Sequence, residues 1–461
     1  MKSAFQLKED QSLDVAEENE DAVCVTNTPE DQDVFSLKGW TLSQNELQIL
    51  HQMNEQFAHV IVSGKNLVVS SSYDNCNNRT FALEQFTEFE KRFLHKKAIA
   101  KMNLGKAWLC WNGKRFYPDG IIFAPGSKNV LATQMNLFVG YSKTPRPGDV
   151  SFFLKHVKEV ICSNNEVHTK YVLQFFAHLL QKPHEKPTVA IVQKSIEGTG
   201  KSSLIKMFSA ILGQYAITTN GIDLFTQRFN SILENKLLIF VDEAYMRGQK
   251  ESQKLKALIS ENAVNIERKT IDSYPINSFA RYIFATNNDH VLNAGSRERR
   301  YLVLEPSTKY AQNQQYFSEY QRFCDENSEC VMHYLLELDI SDFNPRVAPF
   351  SESLLDEKIV SLTPALSYFY EALLNEFPAE GTGNSIHSYT LYTRFSAHLE
   401  KISVKMTPAQ MRSTLGKLCR SLGMRPTGRA GRDLRYEFGS VEELRASFAA
   451  RLGEKVEDLF K

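Results

Sequence analysis

The chain reads as an α/β protein, and three stretches of its 461 residues carry that reading. Thr188 to Leu212, TVAIVQKSIEGTGKSSLIKMFSAIL, passes from an apolar β-type run through a glycine-bearing turn into a segment of helical period. Lys236 to Glu243, KLLIFVDE, is a continuous apolar run ending in two carboxylates, the pattern of a central strand in a sheet covered on both faces. Ala280 to Ala285, ARYIFA, is a third strand, tipped by Thr286-Asn287-Asn288.

The first stretch has the parts that phosphate binding needs. A strand delivers the chain, backbone N–H groups of Gly198, Thr199 and Gly200 wrap the anion, and a helix start at Ser202-Ser203 adds its positive dipole end. Lys201 would reach the β/γ-phosphates of ATP, and the Ser202 hydroxyl would sit on Mg²⁺. The pattern G-x-x-x-x-G-K-[ST] has Ser195 in its first glycine place, so strain is expected there if that residue takes a positive φ. At the second strand tip Asp242 would hold Mg²⁺ and Glu243 would polarise an attacking water; an ordinary strand ending in a solvated acidic turn is the plainer reading.

Asn287, with Asn288 as the spare, is suited to hydrogen-bonding a γ-phosphate or lytic water, although Asn-Asn is also ordinary turn chemistry. Arg297, Arg299 and Arg300 follow in SRERRYLVLEP, where a neighbouring subunit could insert one into the next nucleotide site; Arg299 and Arg300 are favoured and the sequence does not choose between them. Between the acidic and amide strands, a helix over Glu251 to about Ser260 precedes a β-type run, Val264 to Arg268, and a hairpin tip at Lys269-Thr-Ile-Asp-Ser. Arg268 and Lys269 would grip phosphates of a single strand, against the alternative of a plain surface hairpin.

These motifs in this order resemble superfamily 3 helicases, and more closely the helicase part of phage and plasmid primase-helicase proteins, the group with virus-type primase-polymerase modules upstream. The phrases that carry the likeness are EGTGKSS (197–203), VDEA (241–244), LKALIS (255–260), IERK (266–269), ATNN (285–288) and RERRY (297–301), with smaller echoes in NEQFAHV (54–60), NLFVGY (136–141) and LQKPHEKP (180–187). The resemblance covers roughly residues 48 to 305. It implies an AAA+-like P-loop ATPase core, a hexameric ring, ATP hydrolysis at subunit interfaces and translocation along single-stranded DNA. Ahead of Thr188 there is Tyr117-Pro-Asp119-Gly and scattered acids but no close acidic pair with a supporting histidine. The chain therefore reads as the helicase half, with any primase or polymerase a separate protein.

Composition fits this picture. Hydrophobic residues at 42% and charged residues at 23% suit a soluble chain with large cores, and two to four domains are expected. Lys and Arg balance Asp and Glu at 54 each, so DNA contact must be local rather than driven by net charge. Seven scattered cysteines lack zinc spacing and read as reduced thiols. No apolar run approaches membrane-spanning length and no signal-like core opens the chain, so no membrane partner and a cytoplasmic location, that of a bacterial host, are expected.

The expected layout is an acidic disordered arm over 1–35, a mixed α/β domain over 36–148, a helical collar over 149–187, the ATPase core over 188–306, helices and a connector over 307–385, and a winged-helix-like domain over 386–461. In the second of these, β-type runs include His59–Ser63, Asn66–Ser71, Ala107–Trp111 and Gly120–Ala124; Trp108 and Trp111 could stack on bases, with core packing the safer reading. Ser307–Phe343 reads as helical, Asn344–Ser353 as a connector, and Thr363–Phe377 as a helix opened by Thr363-Pro364.

In the last domain a helix over Tyr389–Glu400 is followed by one opening at Thr407-Pro408, which turns Met411, Leu415, Leu418 and Leu422 inward and leaves Arg412 and Arg420 elsewhere. Two short strands flank a basic wing tip carrying Arg429 and Arg432. From Arg394 to Arg435 ten basic residues face two acidic ones, a net of +8, which is a local footprint for nucleic acid. The function expected is an ATP-dependent DNA helicase of a mobile element, a homo-oligomer acting on single-stranded and forked DNA. The alternatives are an ATP-switched initiator that melts origin duplex, and a DNA-binding regulator with a degenerate nucleotide site.

Overall fold

The computed structural model describes residues 34–461 apart from 75–78, 128, 227–229, 246–248, 269–270, 289–297, 376, 378–382 and 429–433. The acidic arm, all but its last two positions, thus lies outside the described residues, as do Lys269, Arg297, Arg429 and Arg432. The chain divides into two units, Met1–Val139 and Gly140–Lys461.

The first unit is built on a four-stranded sheet in the order Arg79–Gln85, Lys65–Tyr73, Phe57–Val62, Phe116–Tyr117, antiparallel except for its last pair. Helix Gln44–Gln56 starts at a capping box in which Ser43 and Glu46 bond each other's backbone N–H groups. The β-type reading of Ala107–Trp111 is corrected: the segment belongs to helix Leu104–Cys110. Asn103 accepts the Gly105 and Lys106 N–H groups, and this cap with apolar burial outweighs the aromatic preference for strands. Trp108 and Trp111 are fully buried in the unit's core, and their Nε1–H groups donate to Asn54 Oδ1 at 2.9 Å and the Val34 carbonyl at 2.8 Å. Base stacking by either is thereby excluded.

The second unit holds a five-stranded parallel sheet. Its order is Ala216–Asn220, Leu238–Asp242, Arg281–Thr286, Ala190–Lys194, Tyr301–Leu304. The three central strands are those expected from sequence. The two outer strands were not: AITTN is polar and half-exposed at one edge, and YLVL is only four residues long. The second is buried because Ser351 Oγ bonds the Val303 carbonyl at 2.5 Å and Leu354, on helix Glu352–Val360, joins the core of Tyr301 and Val303. That helix begins within the stretch read as a connector. A helix over all of Ser307–Phe343 is likewise corrected to Gln314–Glu337, which Asn313 caps. Upstream, Ser151–Lys155 runs into a π-helical segment, His156–Ile161, ahead of helix Glu166–Gln181.

Toward the C-terminus a three-stranded antiparallel sheet, in the order Ser385–His387, Arg435–Glu437, Arg425–Thr427, packs with helices Pro364–Leu374, Ser388–Lys401, Pro408–Ser421 and Val441–Leu452 around one core. Met411, Leu415, Leu418 and Leu422 are buried in it, whereas Arg412 and Arg420 are exposed.

Trp108→Ala is expected to destabilise the first unit by about 3–5 kcal/mol, the range for truncating a buried aromatic. The measurement is the denaturant midpoint of that unit's unfolding; a midpoint at the parental value would reject this role.

Candidate active site

Parallel strands end along one edge of the sheet, and the glycine loop, the acidic pair and Asn287 singled out from sequence sit there. The opening turn is relaxed. Positive φ falls on Gly198 (77°) and Gly200 (87°), and Ser195 does not take it, so a serine there costs no backbone strain. Ser195 N–H instead donates to the Thr286 carbonyl at 3.2 Å, and Ser195 Oγ pairs with Thr199 Oγ1 at 2.5 Å. The cleft of about 440 Å³ above the loop is lined by residues 197–203 together with Lys206, Asp242, Glu243, Asn287, Phe317, Tyr320 and Gln321.

Lys201 is the centre of this cleft. Its ammonium donates to the carbonyls of Ser195 at 2.6 Å and Ile196 at 2.9 Å and to Asn287 Oδ1. Burial holds its pKa below the ordinary lysine value, while Asp242 and Glu197 pull the other way. Asn287 lines the cleft and Asn288 does not, which separates the two amides. Glu243 is left-handed at φ 51°, just past the acidic strand, and its N–H donates to Asp242 Oδ1 at 3.0 Å. A non-glycine residue held there carries about 1–3 kcal/mol of strain, of the kind that collects at functional sites.

An ammonium, a wrap of backbone N–H groups and a helix start suit a polyphosphate; two carboxylates opposite suit a cation and a water. Among the described residues no group of three or more His, Cys, Asp or Glu side chains forms a metal cage. A Mg²⁺ ion here would therefore be held by Ser202, Asp242 and the ligand's own phosphates, as is usual for that ion. Ser202 fits this use, being exposed at the start of helix Ser203–Leu212 with no cap bond from its hydroxyl.

The two arginines lie elsewhere. They precede strand Tyr301–Leu304, and the Arg300 carbonyl accepts the Ala190 N–H at the start of the loop strand, so both sit at the opposite end of the sheet from the cleft. Arg300 is drawn to the buried Glu298 at 3.5 Å, which Lys256 also approaches at 2.7 Å, while Arg299 is exposed. Burial alone would raise the Glu298 pKa, but Lys256, Arg300 and backbone N–H groups outweigh it and hold the carboxyl below its usual range. Arg268 ends strand Ala263–Arg268 of a two-stranded hairpin with Ile271–Asn277.

Sequence reasoning missed Lys206, Phe317, Tyr320 and His156. Phe317 and Tyr320 lie on one face of helix Gln314–Glu337, but nothing local marks that face as meeting the loop. At Gly200 an added Cβ would stand 2.4 Å from Phe317, so only glycine fits beneath that ring. His156 is wholly buried, its Nε2 2.6 Å from Ser203 Oγ.

Known proteins match the chain in sequence over part of its length and in fold over most of it. Residues 194–300 match a family of unknown function, DUF5906. Over 196 residues the chain is 24% identical to the DNA primase-polymerase of Nitratiruptor phage NrS-1, a match spanning 39% of this chain and 27% of that protein. Two apo structures of the NrS-1 C-terminal region share the fold at TM-score 0.64 and 14% identity; they cover 87% and 85% of this chain and 100% and 98% of theirs. The chain is thus related in sequence to a phage primase-polymerase, over about a quarter of that protein's length, and has the fold of its C-terminal region.

Burial pushes the His156 pKa down to about 3 from an ordinary 6.5. Between those values the unfolded chain binds the proton and the folded chain does not, so stability rises with pH across this window and is lost as pH falls below 6.5. Acidification from pH 7 to 5 should cost about 2 kcal/mol through this group. Thermal unfolding of His156→Gln should show a correspondingly shallower acid slope.

Proposed function

We propose that this chain is an ATP-hydrolysing DNA helicase of a phage-type replication system, working as a ring on single-stranded DNA. The observation that carries the reading is the convergence of Lys201, Ser202, Asp242, Glu243 and Asn287 on one cleft at the ends of three adjacent strands. ATP would lie with its β/γ-phosphates on Lys201 and the loop N–H groups. Ser202 and Asp242 would hold a Mg²⁺ ion, which when bound would supply neutralisation of the phosphate charge. Glu243 would take the proton of the water that attacks the γ-phosphorus as the bond from that phosphorus to the β–γ bridging oxygen breaks and ADP departs. Asn287, which bonds Lys201 directly, would exchange that partner for the γ-phosphate and so distinguish ATP from ADP.

The cleft takes no arginine from the described residues that line it. Phosphoryl transfer gains from a guanidinium on the developing charge, and Arg299, exposed at the far end of the sheet, suits delivery from a neighbouring copy. Arg300 suits it less, being engaged by Glu298. A closed ring of copies, six on the resemblance described above, would place such an arginine at every site. The hairpin ending in Arg268 would follow the central strand. The exposed Arg412, Arg420 and Arg425, within the +8 stretch, favour an added contact with duplex DNA, which also keeps an origin-melting initiator as a second reading.

Lys201→Ala should abolish ATP turnover, whereas Glu243→Gln should retain ATP binding and lose about 10²-fold or more of hydrolysis. DNA-stimulated phosphate release near the parental rate in either variant would reject these roles, and a forked substrate separates a helicase from an initiator, since only the helicase unwinds it. If Arg299 acts in trans, Arg299→Ala and Lys201→Ala are each inactive alone but recover part of the activity when mixed, because some mixed interfaces are intact. Absence of any recovery in assembled mixtures would remove Arg299 from that position.

A further inference from the structure

From Ser203, which itself lines the cleft, a chain of hydrogen bonds that the scheme above does not use runs into the buried interior. Ser203 Oγ lies 2.5 Å from the Gly200 carbonyl, His156 Nε2 lies 2.6 Å from Ser203 Oγ, and Tyr316 O–H lies 3.0 Å from His156 Nδ1. His156 is wholly buried and stacks on Tyr320 at 4.0 Å.

The directions of these bonds follow from what each atom is able to do. A carbonyl only accepts, so the Ser203 hydroxyl donates its one proton to Gly200. Ser203 Oγ must then accept from His156, which puts the imidazole proton on Nε2. Nδ1 is left as an acceptor, and the Tyr316 hydroxyl donates to it. A Tyr hydroxyl is able to accept as well as donate, so it is the complete burial of the ring, which disfavours the imidazolium, that leaves Nδ1 an acceptor.

The end of this relay is the Gly200–Lys201 peptide. Carbonyl and N–H point opposite ways in a trans peptide. Holding the Gly200 carbonyl toward Ser203, whose backbone N–H also donates to it at 3.0 Å, fixes the plane of that peptide and with it the direction of the Lys201 N–H. The beginning of the relay is the first turn of helix Gln314–Glu337, whose next residue, Phe317, covers Gly200 from the cleft side. His156 itself opens a π-helical segment, a geometry that often marks functional positions. A phenylalanine would fill much of the same volume without the desolvation cost of an imidazole.

We propose that His156 is a positioning residue of the phosphate loop: through Ser203 it fixes the Gly200–Lys201 peptide with its N–H toward the bound phosphates, and through Tyr316 it ties that peptide to helix Gln314–Glu337. The inference rests on the nucleotide-binding reading of the cleft. It makes the loop's grip depend on a residue about forty positions upstream of the motif.

The test is ATP binding by the full chain. His156→Phe should weaken it about tenfold, the scale of one orienting hydrogen bond. His156→Gln, whose amide is able to donate to Ser203 from a similar place, should recover most of that loss. Combining His156→Phe with Tyr316→Phe should cost no more than His156→Phe alone, because both cut one chain of bonds. Parental affinity in His156→Phe, no recovery in His156→Gln, or additive losses would each overturn the proposal. If His156→Phe fails to fold, Tyr316→Phe decides: it must weaken ATP binding severalfold, and unchanged binding overturns the relay. If the parent chain itself binds no ATP, the nucleotide reading fails, and the relay is judged separately by the ¹⁵N resonances of the imidazole. These must show a neutral, Nε2-protonated ring at pH 7; a proton on Nδ1 overturns it.

Discussion

The ammonium of Lys201 has to be held among oxygens that belong to different strands, and the parallel register is what brings those oxygens together. Lys194, the last residue of the loop strand, pairs with Thr286, so the loop and Asn287 leave the sheet side by side. One strand further on, Val241 pairs with Phe284, which brings Asp242 out beside the same edge. Neighbouring strands are about 4.8 Å apart, so the spacing of loop, amide and acid is fixed by the ladder rather than by flexible side chains. A register slip of one residue in any of the three would turn its tip residue to the other face.

Around that fixed geometry the site keeps several groups in conditions they would not choose alone. Lys201 is nine-tenths buried and its charged form is disfavoured, so an anion arriving in the cleft meets a cation already stripped of most of its water. Glu243 is held in a left-handed conformation that projects it past the acidic strand. Phe317 closes over a loop position that only glycine is able to occupy. These costs are met by the rigid, fully buried strands beneath, where residues 238–241 and 281–286 carry almost no exposed surface. The same sheet carries the arginine pair to its opposite end, which is why the proposed mechanism draws on a second copy of the chain.

The loop is also supported from the buried interior. His156, Ser203 and Tyr316 come from three separate helical segments, and their bonds reach the one peptide whose orientation decides where the Lys201 N–H points. The loop and helix Gln314–Glu337 thus meet at a single residue, Gly200, whose carbonyl accepts from Ser203 and above which the Phe317 ring leaves no room for a Cβ.

By itself the sequence determined the elements that are local. The order strand, glycine turn, Lys201-Ser202, helix is written in consecutive residues, as are the central strands ending at Asp242 and Thr286, because continuous apolar runs and glycines at positive φ need only near neighbours to be recognised. The inward face of helix Pro408–Ser421 was legible for the same reason, its buried residues repeating at helical spacing. What the tertiary structure alone decided is whatever depends on partners distant in the chain. Ala107–Trp111 has the composition of a strand and became helix under the Asn103 cap and the burial of two tryptophans. Tyr301–Leu304 is too short to announce itself and is a strand because Ala190–Lys194 and helix Glu352–Val360 flank it. Asn287 lines the cleft and Asn288 does not, and Arg300 pairs with Glu298 while Arg299 is exposed, because of the groups that surround each in space. His156 carries no motif at all; its hydrogen-bond partners lie 47 and 160 residues away, a distance over which no local pattern extends.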